Sequence, residues 1–362
     1  GKGFTEWTNV GKAKPLYKGH NQPRVPTELG YYDLRLPIVR EQQADLAKEA
    51  GVTAFCYWHY WFGNGKMLMN DIFDEVLNSG SPDFPFCLGW ANHSWYAKTW
   101  NGDNRSSDKL LIEQTYPGLE DAKQHFNYLI KAFKDPRYVK IDGKPLFYVF
   151  APWDLPIEYI DNFQLWTKEV GFPGLYMVGR IKYNSKISAS VAQKYDAMVY
   201  ERLFEAIKLR EGDTFCSKII RQSQRMFFKS LSLIRRLPPY YADYSKIYSK
   251  LISDEDSKEN VIPTIVPQWD HTPRSGWNGT LFGNSTPEYF YLHVREVLNV
   301  IKKKRNKIAF LKSWNEWGEG NMMEPDLTYG RGFIESLRKA IKDEQENNKN
   351  TSNDTNTFAD IT

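Results

Sequence analysis

Cysteine is scarce: Cys56, Cys87 and Cys216 are the only three in 362 residues, and their spacing suits no metal site. Three cysteines cannot all pair, so a disulfide framework is excluded. Cys56 and Cys87 fall inside apolar, strand-like runs where a buried free thiol is expected, which favours a reducing compartment. Apolar runs are short, and none reaches the roughly 18 residues that a membrane-spanning helix needs. Charge of one sign is also lacking: 48 Lys and Arg stand against 44 Asp and Glu, a net +4 that gives no reason to expect a nucleic-acid partner. No glycine-rich phosphate loop, Rossmann pattern or serine nucleophile elbow is evident. His59 and His93 have no third His or Cys partner at a familiar spacing, so neither metal nor any other cofactor is expected. No leader-like segment is evident in a chain that opens at Gly1, and the expected location is cytoplasmic.

Aromatic side chains are abundant, with 12 Trp, 22 Tyr and 21 Phe, and several sit beside polar residues at the ends of apolar runs. Rings next to hydrogen-bonding groups suit sugars, whose faces carry C–H groups and whose edges carry hydroxyls.

Short β-branched and aromatic runs alternate with amphipathic stretches of helical period, the pattern of a parallel sheet covered by helices. Strands are expected near 52–59, 84–90, 145–150, 174–180, 196–200, 261–267 and 307–313, with helices near 38–50, 70–79, 119–134, 157–170, 287–304 and 331–343. The helix after Ser285-Thr286-Pro287-Glu288 has a hydroxyl placed to cap it and a proline in its first turn. Seven strands are one short of a closed eight-stranded barrel, so the expectation is a (β/α)8 barrel over 1–343 whose first strand lies upstream of Gly1.

Two segments depart from the alternation. Residues 203–260 form an excursion after the sixth strand of the expected eight, and 218–250 carry eight Lys or Arg against one acid. That stretch suits either a helical lid with a solvated basic face or peripheral contact with an anionic membrane. The polar tail 344–362, above all from Asn347 onward, is expected to be disordered.

In parallel barrels the loops after the strands converge on the active site. Those ends carry His59, Tyr60 and Trp61; Trp90, Asn92, His93 and Trp95; Arg180; Glu201; Trp269, Asp270 and Arg274; and Asn315, Glu316, Trp317 and Glu319. Any one of them alone is more often a packing or capping residue. Glu316 and Glu319 differ in kind, because two carboxylates among Trp and Gly are costly to desolvate without a function or a partner. On a helical turn, positions i and i+3 share a face and offer the acid and base that glycoside chemistry needs. The same pair would also suit holding an arginine. Gly318 and Gly320 are expected to allow a sharp turn close to ligand, with Glu324 in support.

The segments Gly3-Phe4-Thr5-Glu6-Trp7-Thr8-Asn9-Val10, Tyr32-Asp33-Leu34-Arg35-Leu36-Pro37, Phe55 to Phe62, Trp90-Ala91-Asn92, Ile141 to Leu146, Thr272-Pro273-Arg274, Trp314 to Gly320 and Glu324-Pro325-Asp326 resemble the WbsX-type proteins. That group is described as glycoside-hydrolase-family-99-like and is associated with surface-polysaccharide synthesis. The resemblance spans about residues 1–340. It implies a retaining mechanism in which the sugar's own 2-hydroxyl attacks, with Glu316 as base toward O2 and Glu319 as general acid. At position 93 some relatives carry Glu where this chain has His93, which implies a different subsite preference. Two functions follow as expectations. One is a retaining endo-acting glycoside hydrolase on an α-linked, mannose-like glycan. The alternative is a glycosyltransferase in cell-surface or O-antigen (lipopolysaccharide) polysaccharide biosynthesis.

Overall fold

The structure is a computed structural model of the chain that describes residues 3–96, 109–182, 187–209 and 241–357. Strands form at each of the seven expected places: β1 (Phe55–His59), β2 (Phe86–Trp90), β3 (Lys144–Val149), β4 (Tyr176–Ile181), β5 (Ala197–Tyr200), β6 (Thr264–Ile265) and β7 (Phe310–Leu311). β1 to β5 pair in sequence order, all parallel. A parallel bridge from Met198 to Val261 leads on toward β6, which pairs in parallel with β7. Parallel neighbours need a crossover connection, and the helices supply it. Among the described residues no backbone pairing joins β7 to β1. Rings meet across that seam instead, Phe55 lying 5.8 Å from Trp314.

The covering helices include α1 (Glu6–Lys12), α2 (Pro37–Ala50), α3 (Asp71–Ser79), α4 (Leu119–Phe133), α5 (Ile157–Glu169), α6 (Pro287–Ile301) and α7 (Gly332–Thr357). Proline opens α2, and Gly51, at φ +89, stops it in the left-handed conformation that other residues resist. Proline also opens α6 after Thr286, although the Thr286 hydroxyl makes no cap to the backbone. The sheet packs on α4 and α5 through Phe86, Leu88, Phe126, Phe147 and Phe163. A second core joins α2, α6 and α7 through Ala47, Val294, Val297 and Leu337.

The tail departs from expectation. α7 runs on to Thr357, past the point where disorder was expected. Its first turns are anchored by buried Ile334, Leu337 and Ala340, and Glu344 meets Lys302 at 3.1 Å. Once a helix is nucleated on such an anchor, adding polar residues to it costs little. Within the long excursion, residues 218–240 of the basic stretch lie outside the described residues. Its described flanks fold back onto the body: Tyr241–Asp243 pairs in parallel with Leu281–Gly283, and Leu203, Tyr244, Ile247 and Leu251 pack with Trp269 and Phe282. No described helix is long and apolar enough to cross a membrane.

Candidate active site

The chain leaving β7 makes a tight hairpin. Asn315–Glu316 pairs antiparallel with Asn321–Met322, and a 3-10 turn, Trp317–Glu319, joins them. Glu316, just before the turn, and Glu319, its last residue, point to one side. Both meet the guanidinium of Arg274: Nη2 donates to Glu316 Oε1 at 2.5 Å and Nη1 to Glu319 Oε1 at 2.6 Å. A third carboxylate arrives from α1, where Glu6 accepts from Arg274 Nη2 through both oxygens at 3.0 Å. Glu6 also accepts from the Gly318 amide at 2.5 Å.

The glycines around Glu319 make the expected sharp turn and allow close protein packing at the acids. A Cβ on Gly318 would collide with the Glu6 carboxylate, and one on Gly320, at φ +52, would come 2.7 Å from Asp270 Cβ.

Three carboxylates around one cation set the electrostatics of this acidic pole. Burial, and then the Glu319 carboxylate, push Glu316 up to about 7 against the pull of Arg274. Burial pulls the Arg274 guanidinium down, but Glu316, Glu319 and Glu6 outweigh it and hold Arg274 above its usual range. His271 Nε2 lies 3.8 Å from Glu319, and burial lowers the imidazole below its ordinary value. Tyr60 reaches the same acids: burial and then Glu316 raise its phenol, and its ring meets Trp95 edge-on at 5.2 Å.

Arg180 and Glu201 form an ion pair at 3.4 Å at the ends of β4 and β5. Lys312, just after β7, lies 4.0 Å from the other oxygen of Glu201 and 5.2 Å above the Trp269 ring. Trp269 in turn stacks on His271 at 6.1 Å, which links this group to Glu319. The His93 ring packs on Phe150 at 4.9 Å, beside the Arg180 guanidinium.

Several of the expected residues are fully engaged as supports. Asn92 is completely buried, donating to Tyr116 and the Ala151 carbonyl and accepting from the Ala151 amide. Burial pushes the Asp270 carboxyl up, but bonds from His20 (2.9 Å), Thr272 and Gln22 outweigh it and the net shift is downward. Glu324 accepts from Trp317 Nε1 and Gln43 at 2.6 Å each and from Tyr32 at 2.8 Å, while burial raises it to about 7. Asn315 also bonds the Tyr32 phenol. This network fixes the Trp317 ring and, through it, the turn that carries the two acids.

Three expected site residues, His59, Trp61 and Trp90, face the helical layer instead. His59 Nε2 sits 2.7 Å from His125 Nε2 on α4, and its ring stacks on Tyr128. Trp61 stacks on His125 and donates to Asp121, while Trp90 is fully buried and donates to the Trp61 carbonyl. Side chains alternate across a strand, so the inward set on β1 is Cys56, Trp58 and, just past its end, Tyr60. His59→Ala is therefore expected to lower stability by about 2–4 kcal/mol through a core cavity, with KM unchanged. Denaturant midpoints and saturation curves measured together check this, and a raised KM at unchanged stability would count against it.

Three residues beside these groups escaped the sequence reading. Trp58, 40% exposed on the inner face, meets Tyr148 and Phe150 edge-on. Gly89 leaves room for that indole, since a Cβ there would come within 3.3 Å of it. Period-two counting on β1 could have found Trp58. Lys312 carried no comparable signal, and Glu6 was marked only by lying in the Gly3–Val10 segment that carries the resemblance. The chain also holds an Asp-x-Asp triplet, Asp254-Glu255-Asp256. It forms a 3-10 turn whose Asp256 is buried against Arg202 and bonds the Ser253 amide at 2.8 Å. Among the described residues no group of three His, Cys, Asp or Glu is arranged to hold a metal ion.

The uncharacterized protein WxcX of Xanthomonas campestris pv. campestris is 30% identical over 352 residues, covering 94% of this chain and 46% of that protein. The chain thus spans about half the length of the curated relatives it matches. Among solved structures, a glycoside hydrolase-like protein superposes with a TM-score of 0.58 at 15% identity, covering 93% of this chain and 99% of the other. A family 99 endo-alpha-mannosidase from Bacteroides thetaiotaomicron does so with a TM-score of 0.53 at 15% identity, covering 89% and 84%. At such identities the likeness is one of fold: a central parallel sheet flanked by helices, as in a (β/α)8-like barrel. The family described as Glycosyltransferase WbsX matches residues 1–337. The chain belongs to that family, an enzyme family on a glycoside-hydrolase-like fold.

Proposed function

We propose that this protein moves a glycosyl group between hydroxyl oxygens in the assembly of a cell-surface polysaccharide, with Glu316 and Glu319 as its acid–base pair. The observation that carries the reading is the position of the two carboxylates, one 3-10 turn apart on a single guanidinium. The family description supports transfer. The same reading takes β1 to β7 as seven staves of an eight-stranded barrel, with the eighth position at the seam crossed by Phe55 and Trp314.

The chemistry follows the resemblance. The donor sugar's 2-hydroxyl attacks its own C1 while Glu316 accepts the O2 proton and Glu319 protonates the departing glycosidic oxygen. The 1,2-anhydro sugar so formed is opened by an acceptor hydroxyl whose proton goes to Glu319, and Glu316 returns its proton to O2. Two inversions at C1 give net retention. No carboxylate is needed beneath C1, so both acids can come from one turn, and a base poised near neutrality balances ionised fraction against proton affinity.

Hydrolysis of an α-linked, mannose-like glycan is the second reading. It uses the same steps with water as acceptor and is favoured by the likeness to the endo-alpha-mannosidase fold. Incubation with α-linked oligosaccharides plus an acceptor saccharide and, separately, with nucleotide sugars separates the cases by mass spectrometry. Lengthened acceptors support transfer and shortened donors hydrolysis. Turnover of nucleotide sugars alone would overturn the acid–base scheme.

A pH dependence follows from Glu316. A base must be ionised to act, so activity should be low below the raised carboxyl and climb as pH passes about 7. A rate profile from pH 5 to 9 on one substrate measures it. A limb centred in the ordinary carboxylate range, near about 4, would remove Glu316 from the base role.

A further inference from the structure

Two charged groups of opposite character lie at the strand ends, and only the acidic one is used by the chemistry above. At the other, Arg180 and Lys312 approach the two oxygens of one carboxylate, Glu201, at 3.4 and 4.0 Å. Both are longer than the 2.5 and 2.6 Å contacts that Arg274 makes with its acids. Among the described residues Glu201 is the one carboxylate within ion-pair distance of either cation, so the group keeps an excess positive charge.

Its other walls are aromatic. The Arg180 guanidinium lies 3.4 Å from the centre of the Phe150 ring and 5.3 Å from that of Trp153, and the Lys312 ammonium lies 5.2 Å above Trp269. Rings hold cations in place without supplying a full counter-charge, and they exclude water that would screen an incoming anion. Arg180 is only 9% exposed, and burial pulls its guanidinium below its usual range, as expected where counter-charge is incomplete. The group adjoins the reacting centre through Trp269 and His271, which lies 3.8 Å from Glu319.

Resting on the glycan-transfer reading, we infer that Arg180 and Lys312 form a subsite for an anionic substituent, a carboxylate or a phosphate, carried on a sugar next to the bond that reacts. The planar Arg180 fork and the mobile Lys312 ammonium grip two oxygens of that anion, and Glu201 yields part of its hold on both. Trp58 and Phe150 face the apolar side of the ring that bears it.

The test is direct binding, by calorimetry, of methyl α-mannopyranoside, its 6-carboxylate (the uronate) and its 6-phosphate to the protein and to Lys312→Met, a change on a half-exposed side chain. An anionic glycoside should bind about 10- to 100-fold tighter than the neutral one, the range for hydrogen bonds to charged groups. The preference should weaken with added salt and collapse in Lys312→Met. Whether uronate or phosphate binds better identifies the substituent. Equal binding of neutral and anionic glycosides overturns the subsite but leaves the glycan reading standing. Discrimination retained in both Lys312→Met and Arg180→Met also overturns it. Binding of none of the three counts against the subsite and the glycan pocket together.

Discussion

Glu316→Gln is expected to lower turnover by about 10²–10⁴-fold on every substrate, the usual worth of general acid–base assistance. Glu319→Gln should do so only where the leaving group is poor. The contrast follows from where each proton goes. Assistance to O2 attack is needed whatever departs, whereas protonation of the glycosidic oxygen matters only when that oxygen leaves as an alkoxide. With an activated aryl glycoside the Glu319 variant should keep most of its activity. A 2-deoxy substrate lacks the internal nucleophile and should react very poorly with the unaltered protein. The measurement is a matrix of kcat/KM values: two variants and the parent against alkyl, aryl and 2-deoxy glycosides. Normal cleavage of the 2-deoxy compound would exclude the anhydro route and return the pair to a conventional two-carboxylate scheme. Equal losses for both variants on all leaving groups would exclude the division of roles.

Arg274→Met should have a large effect on the fold. It leaves Glu6, Glu316 and Glu319 facing one another without the guanidinium that all three share. Arg274 is nearly buried but its three acids keep 20–32% of their side-chain surface, so the cost should fall below that of a fully buried pair, at about 2–3 kcal/mol. The pH dependence has a definite sign. Glu316 is already raised by burial and Glu319, and loss of Arg274 removes the main influence lowering it. A carboxyl raised in the folded state favours folding where it is protonated, and that contribution is lost as pH rises through its folded value. The variant should therefore be weakest above about pH 7 and regain stability toward pH 5. Urea midpoints at pH 5 and 8 decide it, and a deficit that grows on acidification would contradict the arrangement. Arg274→Lys should recover part of the stability but little of the activity, since an ammonium cannot hold two carboxylates in one plane.

How much of this was legible beforehand depends on the range of the interactions. The parallel sheet was legible because each strand is a local apolar run: β2 is buried at every position, and the helices that follow have their own period. Glu316 and Glu319 were legible because three residues on a turn set their geometry without help from the rest of the chain. His59, Trp61 and Trp90 were misplaced because a strand end identifies a place but not a face, and a shift of one residue exchanges pocket for helical layer. Glu6 lies 268 residues from the arginine it holds, and nothing near it in sequence marks it as a partner of the acids.

By itself the sequence determined the strand–helix order and the spacing of the two acids after β7, both set by residues within one or two turns of each other. Only the tertiary structure decided that Arg274 and Glu6 close on that pair, that Asp270 is a buried support, and that Arg180 and Lys312 share Glu201 in a separate group. Those outcomes depend on which side chains the packed sheet brings within a few ångströms. Charge interactions at that range are fixed by three-dimensional distance and burial rather than by spacing along the chain.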